Sequence, residues 1–147
     1  MKKILVPFAL LFVFALAAAA QTGDDKEAVR RAALDYVESI YDVNPAKVER
    51  SVHPSLSKVG FARSAAGYAA SRMTFDELRA LAARWNAGRR VDTARAPREI
   101  TVLDVLDQTA SAKLVAQWGV DYLHLAKYDG RWQIVNVIWQ SPPRPAQ

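Results

Sequence analysis

Apolar side chains recur every three or four residues between positions 25 and 42, the spacing of one face of an α-helix. Charged residues occupy the positions between them. The pattern predicts an amphipathic helix from about Asp25 to Asp42, and its buried stripe holds Val29, Ala33, Tyr36, Val37, Ile40 and Tyr41. Asn44-Pro45 then predicts a short second helix, which His53-Pro54 ends.

The middle of the chain combines weak strand signals with one clear helix start. Residues 57–63 and 68–73 flank Ser64-Ala65-Ala66-Gly67, an arrangement typical of a hairpin. Thr74 and Glu77 form a capping box, so we predict a third helix that ends at Gly88. Its apolar stripe holds Phe75, Leu78, Leu81, Ala82 and Trp85.

Beyond residue 98 the period changes to that of strands. Four segments at about 100–106, 111–118, 120–128 and 131–140 are rich in β-branched residues or alternate in polarity. Asp129-Gly130 predicts a two-residue type I′ hairpin between the last two. Helices grouped before a run of strands predict an α+β domain with helices on one face of an antiparallel sheet.

The first twenty residues have a different character. Lys2 and Lys3 precede an apolar run from Ile4 to Ala20, and small alanines close it before Gln21. This pattern predicts a secretory signal peptide at residues 1–20, cleaved after about Ala20. An uncleaved membrane anchor is the alternative. We therefore expect an exported protein, periplasmic or secreted, with a domain at 21–141, a disordered tail at 142–147 and no stable membrane anchor after cleavage.

The composition excludes several kinds of functional site. The 147 residues contain no cysteine, which excludes disulfides, thiol nucleophiles and cysteine metal sites. The formal charge of +5 includes the two lysines of the leader, and the remaining excess is too small to predict nucleic-acid binding. Only two histidines occur, at positions 53 and 124, without ligand spacing, so we expect neither a metal site nor a cofactor.

Several blocks carry a family resemblance that covers nearly all of the chain after the leader. His53 to Gly60, Met73-Thr74 at a helix start, Asp121 to Lys127 and Asp129 to Asn136 resemble the putative lumazine-binding branch of the nuclear transport factor 2-like superfamily. The resemblance implies a cone of three helices packed on a curved, mostly antiparallel sheet, with a pocket between them. It also implies frequent dimerisation through the sheet and an unspecified ligand.

The same superfamily includes polyketide cyclases of the SnoaL-like type and ketosteroid isomerase, whose residues can be compared one by one. Tyr36 falls where the isomerase has its hydrogen-bonding tyrosine, and His124 falls near its neutral aspartic acid. The general base would fall near Gly60, and no carboxylate occurs between Arg50 and Asp76. The isomerase mechanism is therefore incomplete in this sequence, because proton abstraction needs a base within reach.

Counting outward from the Asp129-Gly130 turn assigns the last two strands to two faces. One face holds Asp121 and Asn136 as polar exceptions among apolar residues, which predicts either a structural hydrogen bond or a ligand anchor. The other face holds Tyr122 and His124. The apolar character favours the Asp121 face as the inner one, whereas the resemblance to the isomerase favours the His124 face, so both remain candidates.

Aromatic residues add to the candidate pocket. Tyr36, Trp85 and Trp118 each lie on the apolar stripe or face of their own element, which suits either core packing or an apolar cavity with polar anchors. Several arginines between positions 84 and 98 indicate a solvated loop or an anion contact. The candidate pocket residues are Tyr36, Trp85, Trp118, Asp121, Tyr122, His124 and Asn136.

Three hypotheses follow from these observations. The leading one is an exported, non-catalytic domain that binds a small molecule, such as a planar heterocycle, in a partly apolar pocket. The second is an isomerase or dehydratase that uses Tyr36 with His124 or Asp121. The third is an assembly module that dimerises through the hairpin face carrying Tyr122, Tyr128 and Trp139.

Overall fold

A computed structural model describes the backbone of residues 7–143 and the side chains of residues 23–143. The described chain forms three helices and six strands. In order they are α1 (Pro7–Tyr41), α2 (Pro45–Ser51), β1 (Val52–Ser64), β2 (Gly67–Met73), α3 (Phe75–Ala82), β3 (Arg98–Val105), β4 (Thr109–Ala116), β5 (Gly119–Tyr128) and β6 (Arg131–Gln140). This is the predicted α+β order.

The strands form one mixed sheet in the order β2-β1-β6-β5-β4-β3. Neighbours pair antiparallel except β1 and β6, which run parallel. The helices cover one face of the sheet, and α1 supplies much of the core between them. Its buried residues include Val29, Ala33, Tyr36, Val37 and Ile40, as the helical period predicts.

The local signals of capping and turns are confirmed. Thr74 caps α3, and its backbone N–H donates to the Glu77 carboxylate at 2.7 Å, which completes the capping box. Asp129 and Gly130 both have positive φ, 49° and 75°, as a type I′ turn requires. The weak hairpin signal is also confirmed, since β1 and β2 pair through Ser64 and Gly67.

Two helix boundaries differ from the prediction. α1 begins at Pro7 rather than near Asp25, because the alanine- and leucine-rich run has a high helix propensity and adds turns before it. α3 ends at Ala82 rather than before Gly88. It is followed by turns whose hydrogen bonds join residues three apart, such as Arg84 N–H to Leu81 C=O.

The prediction of the leader rests largely on residues that are not described. Residues 1–6 lie outside the described part of the chain, as do the side chains through residue 22 and residues 144–147 of the expected tail. Among the described residues, no helix combines the length and apolar character that a membrane crossing needs.

A bulge on β6 decides which residues face inward. Leu125 pairs with Ile134 but His124 pairs with Asn136, so Val135 is the extra residue on β6. A slip of one residue exchanges the two faces of a strand. Asn136 therefore lies on the same face as His124 and not with Asp121, and Trp139 becomes the partner of Asp121.

Candidate functional site

A buried lysine occupies the inner face of β1. Leu56, Lys58 and Gly60 alternate inward along the strand, and Lys58 is only 5% exposed. Its Nζ donates a hydrogen bond to the hydroxyl of Tyr36, which is fully buried on α1. The ammonium also lies 5.1 Å from the centre of the Tyr36 ring and 5.9 Å from that of Trp139. Strand alternation and helix period thus bring an amine and a phenol together inside the core.

A buried carboxylate completes this polar cluster. Asp121 on β5 is fully buried, and its Oδ2 accepts a hydrogen bond of 2.9 Å from Nε1 of Trp118. Oδ1 has no hydrogen-bond partner among the described residues. The Tyr36 hydroxyl is close enough for each group to shift the other's pKa, but it does not reach Oδ1 in full hydrogen-bond geometry. A buried acceptor in this condition can take a donor from a ligand.

Burial shifts the pKa values of Lys58, Asp121 and Tyr36 in the directions that favour their uncharged forms. Burial lowers the pKa of Lys58, and the charge of Asp121 opposes that shift. Burial raises the pKa of Asp121, against the opposing effects of Lys58, Trp118 and Tyr36. The pKa of the Tyr36 hydroxyl is also raised, by burial first and by Asp121 second. The site therefore holds a proton donor and a poorly solvated amine side by side.

A cavity of about 230 Å³ opens beside this cluster. Three indoles form much of its wall, and Trp85 and Trp118 meet edge to face with their ring centres 5.6 Å apart. Its lining is mostly apolar, with Lys58 as the charged member, and comprises Ile40, Lys58, Met73, Leu81, Trp85, Trp118 and Trp139. An apolar enclosure with few polar groups is the usual form of a small-molecule site.

The structure places four of the seven candidate residues at this cavity. Trp85 and Trp118 line it, while Tyr36 and Asp121 lie in the polar cluster next to it. Trp85 comes from the turns after α3, which Asn86 holds in place. The Asn86 amide donates to the Tyr41 and Val91 carbonyls at 3.3 and 3.2 Å, and its Oδ1 accepts from the Val91 N–H at 3.1 Å.

The other three candidates lie on the opposite face of the sheet. Tyr122 is half exposed, His124 is exposed, and the His124 ring nitrogen Nδ1 lies 2.8 Å from the Asn136 side-chain oxygen. The inner face is therefore the apolar one that holds Asp121, and His124 does not point inward as the resemblance to the isomerase implies. Trp139, expected on the dimerising face with Tyr122, instead lines the cavity because of the bulge at Val135.

Lys58 is the charged residue of this cavity that the sequence did not predict. Its signal was the alternation of Leu56, Lys58 and Gly60 along a strand with one buried face. The structure also explains why no base lies at Gly60. A Cβ there would come within 1.9 Å of Trp139 Nε1, so the indole fills the space that a carboxylate side chain would need.

The arginines near α3 and the acidic side chains of the described residues do not form a second site. Arg84, Arg89, Arg90 and Arg95 are exposed around the turns after α3, which agrees with a solvated loop. Within the described residues, no group of three or more acidic or histidine side chains could hold a metal ion.

We predict that Lys58→Met costs about 3 kcal/mol of unfolding free energy near neutral pH, because it leaves the Asp121 carboxylate buried without a cation. The loss should shrink in acid. Without the ammonium, the folded-state pKa of Asp121 rises further above 3.8. A carboxyl group with a raised folded pKa holds its proton more tightly in the native state, so stability falls as the pH rises through the interval between the two pKa values.

Urea unfolding across that pH range measures this effect. Lys26→Met is the matched control, since Lys26 is exposed and the charge change is the same. A loss that is independent of pH, or equal in the two variants, would contradict the coupling between Lys58 and Asp121.

Comparisons with known proteins agree on the fold. A nuclear transport factor 2-like protein of unknown function from Silicibacter pomeroyi is 18% identical, with a TM-score of 0.64 over 82% of this chain and 98% of its own. A protein from Novosphingobium aromaticivorans, described as having a cystatin-like fold, is 16% identical, with a TM-score of 0.63 over 89% and 90% of the two chains. No curated protein matches the chain.

These neighbours establish the architecture alone, since their identities are low. The family model is more specific, because it matches residues 24–140 and so includes every strand and every residue that lines the cavity. The chain is therefore a nuclear transport factor 2-like cone and belongs to the family described as putative lumazine-binding.

Proposed function

We propose that this protein binds a small, partly planar molecule in the cavity formed by its three tryptophans. The observation that carries the proposal is the position of Lys58 and Asp121 at an otherwise apolar enclosure. An isolated buried charge is costly, so a core that retains two of them needs a reason beyond packing. Recognition of a polar group on the ligand supplies one.

The chemistry of the wall defines the kind of ligand. Trp85, Trp118 and Trp139 offer flat faces and polarised edges that suit a conjugated ring. Lys58 can donate to a ligand acceptor, and Oδ1 of Asp121 can accept from a ligand donor. At about 230 Å³ the cavity is smaller than the roughly 300–1,000 Å³ of drug-sized sites, so the enclosed part of the ligand is small. A pteridine such as lumazine, which the family description names, meets these requirements.

Binding without turnover is the simplest function for this arrangement. An isomerase or dehydratase remains the second candidate, and the placement of Tyr36 beside Asp121 is the observation in its favour. His124 has no part in that candidate, because it lies on the outer face of the sheet. The position corresponding to the isomerase base is Gly60, so any such reaction would need a different base.

We predict that filling the cavity abolishes binding. Leu81→Trp places a large side chain in the wall and should weaken lumazine affinity by at least about tenfold, through lost cavity volume. Calorimetric titration with lumazine, and with riboflavin and a sterol as further probes, measures the affinity. Leu103→Trp adds the same side chain at an exposed position and should bind as the parent does.

The proposal fails if none of these probes binds the parent and nothing co-purifies with it in native mass spectrometry. Equal affinity in the parent and Leu81→Trp would place the binding site elsewhere.

We also propose export, with residues 1–20 removed as a signal peptide. The support is the sequence of the leader: two lysines, an apolar run and alanines before Gln21. Intact mass spectrometry of protein recovered from outside the cytoplasm should give the mass of a chain beginning near Gln21. Recovery of the full-length chain in a membrane fraction would instead support an anchor.

A homodimer through the outer face of the sheet is a further part of the proposal. Tyr122 pairs with Ile138 there, and both are about half exposed together with Phe61. An apolar patch on one face can pair with its own copy about a two-fold axis. Analytical ultracentrifugation should give a dimer, and Ile138→Lys should give a monomer with an unchanged circular dichroism spectrum. A parent that is monomeric at high concentration would exclude this interface.

A further inference from the structure

The environment of Lys58 differs from that of two partly buried lysines. Lys47 and Lys127 are each about 15–17% exposed and contact carboxylate oxygens at 2.6–2.7 Å. Although burial opposes it, Asp42 and Glu38 raise the pKa of Lys47. Lys58 is more deeply buried, and its hydrogen bond goes to a neutral phenol. Among the described residues, Lys58 thus has no carboxylate oxygen within ion-pair distance, although the charge of Asp121 still acts on it.

Access to the amine is through the ligand cavity. Lys58 is one of the seven residues that line the cavity, and Trp139, near its ammonium, is another. A molecule that enters between the indoles thus meets the lysine before it meets the carboxylate. A desolvated lysine in an apolar pocket is a known way to obtain an amine nucleophile at neutral pH.

We propose that Nζ of Lys58 condenses with the carbonyl carbon of an aromatic or conjugated aldehyde or ketone bound in this cavity, and so holds the ligand as an imine. The inference rests on the proposed small-molecule function of the same site, and it names the ligand's chemical class. The indoles favour a conjugated ring next to the carbonyl group.

Condensation of the Lys58 amine with the carbonyl group releases one molecule of water. The neutral amine attacks the carbonyl carbon, the C–N bond forms, and the carbonyl oxygen becomes the hydroxyl of a carbinolamine. The C–O bond then breaks and the oxygen leaves as water, while nitrogen loses its protons to form the C=N bond. The balance is amine plus carbonyl giving imine plus water, with no oxidant or reductant.

Tyr36 and Asp121 are placed to move those protons. The Tyr36 hydroxyl contacts Nζ of Lys58, and it also lies close enough to Asp121 to influence the carboxyl group. Burial raises the pKa of the Asp121 carboxyl group, so a proton taken up there can be passed on to the leaving hydroxyl. Its Oδ1, unpartnered among residues 23–143, can receive a proton in return.

Reductive trapping tests this inference on the intact protein. Benzaldehyde is added near neutral pH with sodium cyanoborohydride, which reduces an imine to a stable benzylamine. We expect one benzyl group per chain by intact mass, and peptide mapping should place it on Lys58. The label on Lys58 should form at least about tenfold faster than the label on Lys113, a partly exposed lysine on the outer face, because a desolvated amine is less protonated.

Two variants and one analogue make the outcomes distinct. Lys58→Arg keeps the charge but cannot form an imine, so it should lose the fast label, whereas Lys113→Arg should keep it. Leu81→Trp should also lose the label, because the cavity is filled. Labelling of Lys58 at the rate of Lys113 in the parent, or an unchanged label in Leu81→Trp, would overturn the inference.

Benzyl alcohol separates this inference from the proposed function. It has the ring but no carbonyl group, and tryptophan fluorescence reports its entry. If benzyl alcohol and benzaldehyde both quench the fluorescence and Lys58 is not trapped, the imine is excluded and the binding function stands. If neither molecule nor any of the earlier probes binds, the binding function fails and the imine fails with it.

Discussion

An amine and a carboxyl group share the interior of this small domain, and the arrangement of the other elements around them follows from that burial. Lys58 comes from β1, Tyr36 from α1 and Asp121 from β5, so the cluster joins the parallel strand pair, the antiparallel meander and the longest helix. Neither charge would be tolerated alone in an apolar core. Each of the three elements must therefore keep its position for the buried polar side chains of the other two to keep their contacts. The indoles around the cluster form the wall of the cavity.

Much of the fold could be predicted because its signals are local. The helical period of α1, the capping box at Thr74 and the Asp129-Gly130 turn each act over a few residues, and the structure confirms all three. The inner face of β5 was also predictable from its apolar character. In the structure the face that holds Asp121 is buried, and the face that holds His124 is exposed. The family resemblance, carried by short sequence blocks, is confirmed by a match over residues 24–140.

The parts of the site that were missed depend on tertiary context. No glycine or other turn residue in the sequence indicates the bulge at Val135, yet this bulge places Asn136 on the outer face and Trp139 on the inner face. Lys58 alternates with Leu56 and Gly60, but a lysine in a strand is ordinarily read as a solvent-facing residue. Its burial depends on the parallel pairing of β1 with β6, which joins segments about eighty positions apart and leaves no local trace. The identity of the ligand is equally non-local, since proteins of this fold share shape at identities below 20%.

The whole site depends on Lys58 being an amine held in a desolvated pocket beside a carboxyl group, and the titration of this amine is the direct test. In protein labelled with 13C-lysine, the Cε resonance of Lys58 is assigned from its loss in Lys58→Arg and followed against pH. We predict a midpoint below the ordinary 10.5, because burial disfavours the charged ammonium. A Lys58 midpoint at or above 10.5 would contradict a desolvated amine at this site.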